Sequence, residues 1–395
     1  MFTTEKARLS AGFREAFGAE PQRFFAAPGR TEIGGNHTDH QRGRVLAAAV
    51  DLHTCAAVAE NGEHKIRVQS QGYPLCQVDL ADLTPKAAEF GTTTALIRGV
   101  AAKFAELGCP LAGVDLYVTS TVLPGSGLSS SAAFEVLMGT VLNGMFFHGK
   151  LDAKTIAGIG QYAENVFFGK PCGLMDQMAS AVGNLVTIDF FHRDAPDVRP
   201  VAVDFASFGH ALCILDTGAD HADLTEEYAA ITQELKAVCR HFGKEVLTEI
   251  AEDAFFAAIP ALRQACGDRA VLRAIHFYEE NARVPQQVAA LEEGDFARFL
   301  ALVQESGQSS WTQLQNVIPA GRTAHQEVAL SLSLCRKFLQ GRGACRVHGG
   351  GFAGTIQAFV PLDLLEDFCR QMESVLGENA CHVLSICPTG GMEMA

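Results

Sequence analysis

The sequence is short of positive charge. Its 395 residues carry 31 Lys and Arg against 45 Asp and Glu, a formal net charge of −14. Sequence-independent binding to nucleic acid or to an anionic membrane needs a basic face, so no nucleic acid and no membrane partner is expected. No run reaches about 18 consecutive apolar residues, which argues against a spanning helix. The opening segment MFTTEKARLSAGFREAFG lacks the apolar centre of a signal peptide. None of the twelve cysteines forms a C-x-x-C pair, and in an acidic chain without a signal peptide they read as reduced, mostly buried thiols. There is no fixed-period repeat, low-complexity tract or long block of like charge. A cytoplasmic protein acting as a monomer is expected. What the chain does have is apolar material: 48% hydrophobic against 19% charged residues, enough for sizeable cores. The length exceeds a typical domain of about 100–200 residues, so two domains are expected. The Pro- and Asp-punctuated stretch Pro196–Asp204 marks the boundary, giving 1–205 and 206–395.

Thr4–Phe17 reads as an amphipathic helix, with Ala7, Leu9, Phe13 and Phe17 on one side. Val45–Val50 is an apolar run, while His64–Val68 and Val114–Val118 alternate as half-buried strands do. Phe134–Phe147 is apolar on nearly every face, a buried helix entered from a Gly/Ser loop. Beyond the apolar strand His210–Leu215, the pattern predicts helices over Glu226–Phe242 and Gln286–Gln304. A strand–turn–strand unit follows over His348–Val360, then a helix over Leu362–Leu376. Helices mixed with non-consecutive strands favour an α+β layered fold over a doubly wound sheet.

The most informative segment is Pro124–Ala132, PGSGLSSSA. Its glycines let the backbone approach a ligand, and the helix that follows offers unpaired N–H groups and a partial positive charge. Together they describe an anion site, with hydroxyls to add hydrogen bonds or a metal contact. The segment is neither G-x-x-x-x-G-K-[ST] nor a three-glycine dinucleotide fingerprint. A second glycine-rich turn spans His348–Gly354; by itself it reads as well as a tight hairpin. Asp176 lies in an apolar surround, where a carboxylate needs a partner. A functional role and a structural ion pair explain it equally. Glu164, twelve residues earlier, is a candidate Mg²⁺ ligand with a Ser hydroxyl, or a surface helix carboxylate. Arg30 could pair with an acid or a phosphate. His37-Thr38-Asp39-His40 has the residue types of a zinc site, yet no third ligand is evident elsewhere.

In order along nearly the whole chain, Ala27–Asp39, Pro124–Ala132 and Gly349–Gly354 resemble the three motifs of the galactokinases, within the wider family of galactokinase, homoserine, mevalonate and phosphomevalonate kinases. Smaller matches are Gly169–Gln177, Asp216-Thr217 with Tyr228, and His276 through Glu280–Val284. The resemblance implies an N-terminal domain like the second domain of ribosomal protein S5, a ferredoxin-like C-terminal domain, and a site between them. It implies ATP- and Mg²⁺-dependent phosphorylation of the anomeric hydroxyl of galactose. By position, Asp176 would be the catalytic base with Arg30 beside it. Gly125, Ser126, Gly127, Leu128, Ser129, Ser130 and Ser131 would cradle ATP, and Ser131 and Glu164 would hold Mg²⁺. Asn36, His37, Thr38, Asp39 and Tyr228 would hold the sugar.

The chain departs from the family pattern at four points, one being the absence of the Arg often found between Thr217 and Tyr228. Asn36 replaces the usual Glu, Glu32 the usual Asn, and His40 the usual Tyr. The resemblance places Asn36 near C6 of the sugar. An amide there can donate where a carboxylate only accepts, which would admit galacturonate, or arabinose, a sugar lacking the C6 hydroxyl. A sugar sensor without catalysis is a further alternative, disfavoured because Arg30, Asp176 and the nucleotide loop are all present.

Overall fold

A computed structural model describes residues 2–122, 127–170, 172–192, 195–219 and 224–395. The chain opens with α1 (Thr3–Phe17), β1 (Arg23–Gly34), β2 (Arg44–Glu60), β3 (Lys65–Ser70) and β4 (Cys76–Asp79). Then come α2 (Thr93–Glu106), β5 (Val114–Ser120), α3 (Ser130–Phe146) and α4 (Ala153–Tyr162), which widens into a π-helical turn over Ala163–Phe168. The first half closes with α5 (Met175–Val182), β6 (Leu185–Asp189) and β7 (Asp197–Val201). The second half comprises β8 (His210–Ala219), α6 (Thr225–His241), α7 (Glu252–Cys266), α8 (Asp268–Glu292), α9 (Phe296–Ser309) and α10 (Glu327–Phe338). It ends with β9 (Ala344–Val347), β10 (Gly354–Pro361), α11 (Leu365–Leu376), β11 (Cys381–Leu384) and β12 (Met392–Glu393).

Two sheets result, and the α+β expectation holds. The smaller has the order β11-β8-β10-β9, all antiparallel, and its βαββαβ succession is the ferredoxin-like arrangement. The larger runs β12-β1-β2-β5-β3-β4, with β6 and β7 carried on β2. Its β12 comes from the last residues of the chain, so the C-terminus returns to pair with β1. Alternation along β1 and β2 sends side chains to opposite faces. Phe25, Ala27, Val45, Ala47, Ala56 and Val58 pack under α2–α5. Ala26, Cys55 and Ala57 meet Leu9 and Phe13 of α1. Farther along the second face, Ile33, Leu46 and Ala48 meet Val284, Val288 and Phe299 of α8 and α9. Phe359 of β10 joins that same cluster, so one apolar core binds the two sheets together.

One expectation needs correction. The single helix over Gln286–Gln304 is two helices. Gly294, at φ 75°, ends the first, and the Asp295 side chain accepts from the Arg298 N–H to start the second. The stretch Pro196–Asp204, where the sequence places the domain boundary, contains β7, which pairs with β6. Pro200 is tolerated there because β7 is an edge strand that needs no second ladder. Among the described residues, no helix is long and apolar enough to cross a membrane.

Candidate active site

β1 carries a register shift between Pro28 and Arg30, the kind of bulge that re-aims a side chain. The Arg30 side chain, nearly buried, reaches the first turn of α5. There Nε donates to Asp176 Oδ1 and Nη2 to Oδ2, both at 2.7 Å. Its Nη1 donates to the Gly127 carbonyl, and the Ser129 hydroxyl donates to Asp176 Oδ2. A third of the Asp176 side chain remains exposed, so the carboxylate is anchored yet reachable. Burial alone would raise its pKa. The Arg30 charge and hydrogen bonds, with Ser129, outweigh burial and hold it below its ordinary value.

Ser129 sits in the left-handed region, φ 54°, immediately before α3. Its hydroxyl is turned to Asp176, so no side chain caps α3, whose first N–H groups stay open for an anion. Ser130 and Ser131 are half-buried, and their hydroxyls take no partner among the described residues. Gly127 is required sterically: at φ 71°, a Cβ would stand 2.9 Å from His348 Nδ1. Gly125 and Ser126 lie outside the described residues.

The glycine turn at 349–351 gathers several predicted sugar residues on its carbonyls. Asn36 Nδ2 donates to the Gly349 oxygen at 2.7 Å, His37 Nε2 to that of Gly350 at 3.0 Å, and the Tyr228 hydroxyl to that of Gly351 at 2.8 Å. Asn316 also donates to Gly350. A carbonyl only accepts, so His37 Nε2 carries the proton and is spent as a metal ligand. Burial pulls the His37 imidazole down to about 4, which keeps it neutral.

Asn36 and Thr38 are placed differently from His37. Both are fully buried. Asn36 donates to Glu32 and Gly349 and accepts from Ser310 and Asn316, which exhausts its amide. The Thr38 hydroxyl is held by the Gly35 and Arg44 carbonyls. These side chains shape the turn, and their polar atoms are taken up by protein partners in this structure. Asp39 keeps some exposure; its carboxylate abuts Gly173, where any side chain would collide with it.

Glu164 lies buried in the π-helical turn rather than on the surface. Gln177, next to Asp176, donates from one Nε2 to both Glu164 and Glu135, each at 2.9 Å. Glu135 is fully buried, its Oε1 is unpartnered, and burial followed by the Glu164 charge pushes its pKa well up. Lys170 lies 3.5 Å from the other Glu164 oxygen, and the oxygen donors with the orphaned Glu135 oxygen are of the kind a hard divalent cation such as Mg²⁺ takes.

Sequence reasoning missed Glu135 and Gln177, because a carboxylate inside an apolar helix and a glutamine beside the aspartate gave no separate signal. It also missed Arg346, whose buried guanidinium pairs with Glu32 across 314 residues. A concavity of 560 Å³ lined by Arg23, Asn143, His148 and Glu393 lies elsewhere, at the far end of α3 from Ser129.

Residues 11–60 match the galactokinase galactose-binding signature, and residues 95–184 match the N-terminal domain of GHMP kinases. Galactokinase of Lactococcus lactis, solved with galactose, superposes with a TM-score of 0.83 at 24% identity, covering 99% of this chain and 100% of that one. A D-glycero-D-manno-heptose 1-phosphate kinase from Bacteriodes thetaiotaomicron superposes at 0.61 and 15% identity, covering 95% and 99%. Streptococcus pneumoniae phosphomevalonate kinase, solved with phosphomevalonate and AMPPNP, superposes at 0.63 and 12% identity, covering 94% and 99%. The chain therefore shares the fold of galactokinase, mevalonate and phosphomevalonate kinases and matches the GHMP kinase N-terminal domain over residues 95–184. Residues 11–60 add the galactokinase signature to that likeness.

Proposed function

We propose that the protein is an ATP-dependent sugar kinase that phosphorylates the anomeric hydroxyl of galactose, giving galactose 1-phosphate. The observation that carries this reading is the Arg30–Asp176 pair, locked to Ser129 and Gly127 at the uncapped start of α3. It puts a reachable carboxylate beside a helix terminus suited to phosphate. Asp176 orients the C1 hydroxyl. Its lowered pKa makes it a weak base at rest, so it takes the proton late, once the transferring phosphoryl group has acidified that hydroxyl. An anomeric hydroxyl is more acidic than an ordinary alcohol, which eases that transfer. Arg30 has five N–H donors and commits three, leaving two for charge developing on the phosphoryl oxygens. Gly125–Ser131 hold the triphosphate. Ser131 and Glu164 would hold Mg²⁺, which when bound neutralises the β- and γ-phosphate oxygens. His37, Asp39 and Tyr228 bind the sugar. Asn36, sealed in its network, sets the turn that carries His37, so its amide does not select at C6.

The test is ADP release from Mg-ATP with a panel of hexoses, pentoses and uronic acids, with the product read by phosphorus NMR. Galactose-dependent turnover with an anomeric phosphate supports the proposal. Turnover confined to galacturonate, arabinose or another sugar keeps the kinase and overturns galactose. Sugar binding without transfer overturns the kinase in favour of a sensor.

A further inference from the structure

All twelve cysteines are free thiols, but they are unevenly placed. Five of them, Cys213, Cys335, Cys345, Cys369 and Cys381, lie in or against the core of the smaller sheet. Two stand out by position. Cys369 on α11 and Cys381 on β11 face each other with their Sγ atoms 3.1 Å apart. Both are half-buried, so a small solute can reach them. The nearby Cys335 and Cys345 are fully enclosed.

The surroundings keep the facing pair aligned and leave it room to close. The Glu373 carboxylate, one turn beyond Cys369 on α11, accepts from the Cys381 N–H at 3.3 Å. β11 is an edge strand bonded only to β8, and the turn before it contains Gly377 at φ 110° and Asn379 at φ 61°. A disulfide needs sulfurs about 2.05 Å apart, roughly 1 Å nearer than here, within reach of small side-chain rotations. Cys213 on β8 pairs with Val383 and so shares a face with Cys381. Hydrogen bonds from Cys213 and then Cys381 favour the thiolate form of Cys369.

We propose that Cys369 and Cys381 form a redox modification site, at which a peroxide converts the two thiols into a disulfide that staples α11 to β11. The Cys369 thiolate attacks one peroxide oxygen, the O–O bond breaks, and sulfur loses two electrons to give a sulfenic acid and one water after protonation. The Cys381 thiol then displaces the sulfenic hydroxyl as a second water and the S–S bond forms. Two thiols and one hydrogen peroxide give one disulfide and two waters. A dithiol reductant reverses the product.

The experiment treats the intact chain with limiting hydrogen peroxide, then alkylates it in denaturant and maps the peptides. The expected result is ten alkylated cysteines in place of twelve, a single cross-link between the peptides bearing Cys369 and Cys381, and recovery of all twelve with dithiothreitol. The closed loop raises Tm by several degrees. Cys381→Ser abolishes the cross-link and leaves a dimedone-reactive sulfenic acid on Cys369. Should that variant fail to fold, Cys369→Ala serves, with the cross-link again lost. Twelve free thiols after treatment, or a cross-link between other cysteines, overturns the proposal.

Discussion

Arg30 and Asp176, 146 residues apart in sequence, meet in a two-pronged ion pair with both N···O distances at 2.7 Å. One partner comes from a bulged strand, the other from the first turn of a short helix. Such a fork fixes the carboxylate in plane as well as in place, which a single-point contact would not do. The proposed chemistry hangs on this pair, and so do the first two predictions.

Asp176→Asn keeps the shape and an acceptor but removes the charge. The proposed mechanism expects KM for sugar and ATP within a few-fold of the parent, with kcat down by about 10²–10⁴. Steady-state kinetics with ADP detection decides this; turnover within tenfold of the parent excludes the role.

Arg30→Ala removes the cation that lowers Asp176. The expected loss is about 10²–10³ in kcat, larger than any change in sugar KM. The sign in pH follows. With Arg30, Asp176 stays ionised to below its ordinary value, so rate is lost only in strong acid. Without it, the acid limb of the kcat profile moves to higher pH. A limb that stays in place counts against the coupling.

Glu164→Gln trades a carboxylate for a neutral amide in the proposed metal site. Titration of the variant with Mg-ATP by calorimetry is expected to show the Mg²⁺ requirement raised about tenfold or more. An unchanged requirement moves the metal elsewhere.

Gly350→Ala would place a Cβ 2.7 Å from the Tyr228 ring, on the turn that also carries the His37 contact. Sugar KM is expected to rise while ATP KM holds. Equal rises in both, or none, break the link between this turn and the sugar.

Glu280 offers a stability test away from the chemistry. It is fully buried and accepts from the Gly35 N–H and the Ser306 hydroxyl. Burial would raise its pKa, but Arg283, His276 and Arg346 outweigh that and pull it down to about 2. A depressed carboxylate stabilises the fold above its ordinary value near 4.5, and that stability drains away as pH falls toward about 2. The shift corresponds to about 3 kcal/mol. Thermal melts across that window should be steep for the parent and flat for Glu280→Gln, which should also be less stable at neutral pH.

Much of this was legible beforehand, and for identifiable reasons. The helix of α1 and the buried helix of α3 show in their apolar spacing, because each element's own residues decide which face meets the core. In the phosphate-loop reading of residues 124–132, the helix start at Ser130 is seen, while residues 124–126 lie outside the described residues. Asp176 announced a need for a partner by standing in an apolar run, although nothing there named Arg30. The long helix read over Gln286–Gln304 failed at Gly294, where one residue's backbone freedom outweighed an otherwise continuous pattern.

The sequence by itself determined many of the elements and the order of the motifs that carry the resemblance, since periodicity, glycine placement and ordered motifs are properties of neighbours along the chain. Only the tertiary structure decided which polar groups are consumed inside and which stay partly exposed. Asn36 and Thr38 share a motif with His37 and Asp39, yet burial takes the first two into networks with Glu32, Ser310, Asn316 and Arg44, and leaves the others exposed in part. Hydrogen-bond satisfaction in a buried site depends on partners up to hundreds of residues away, and no local pattern encodes where those partners arrive.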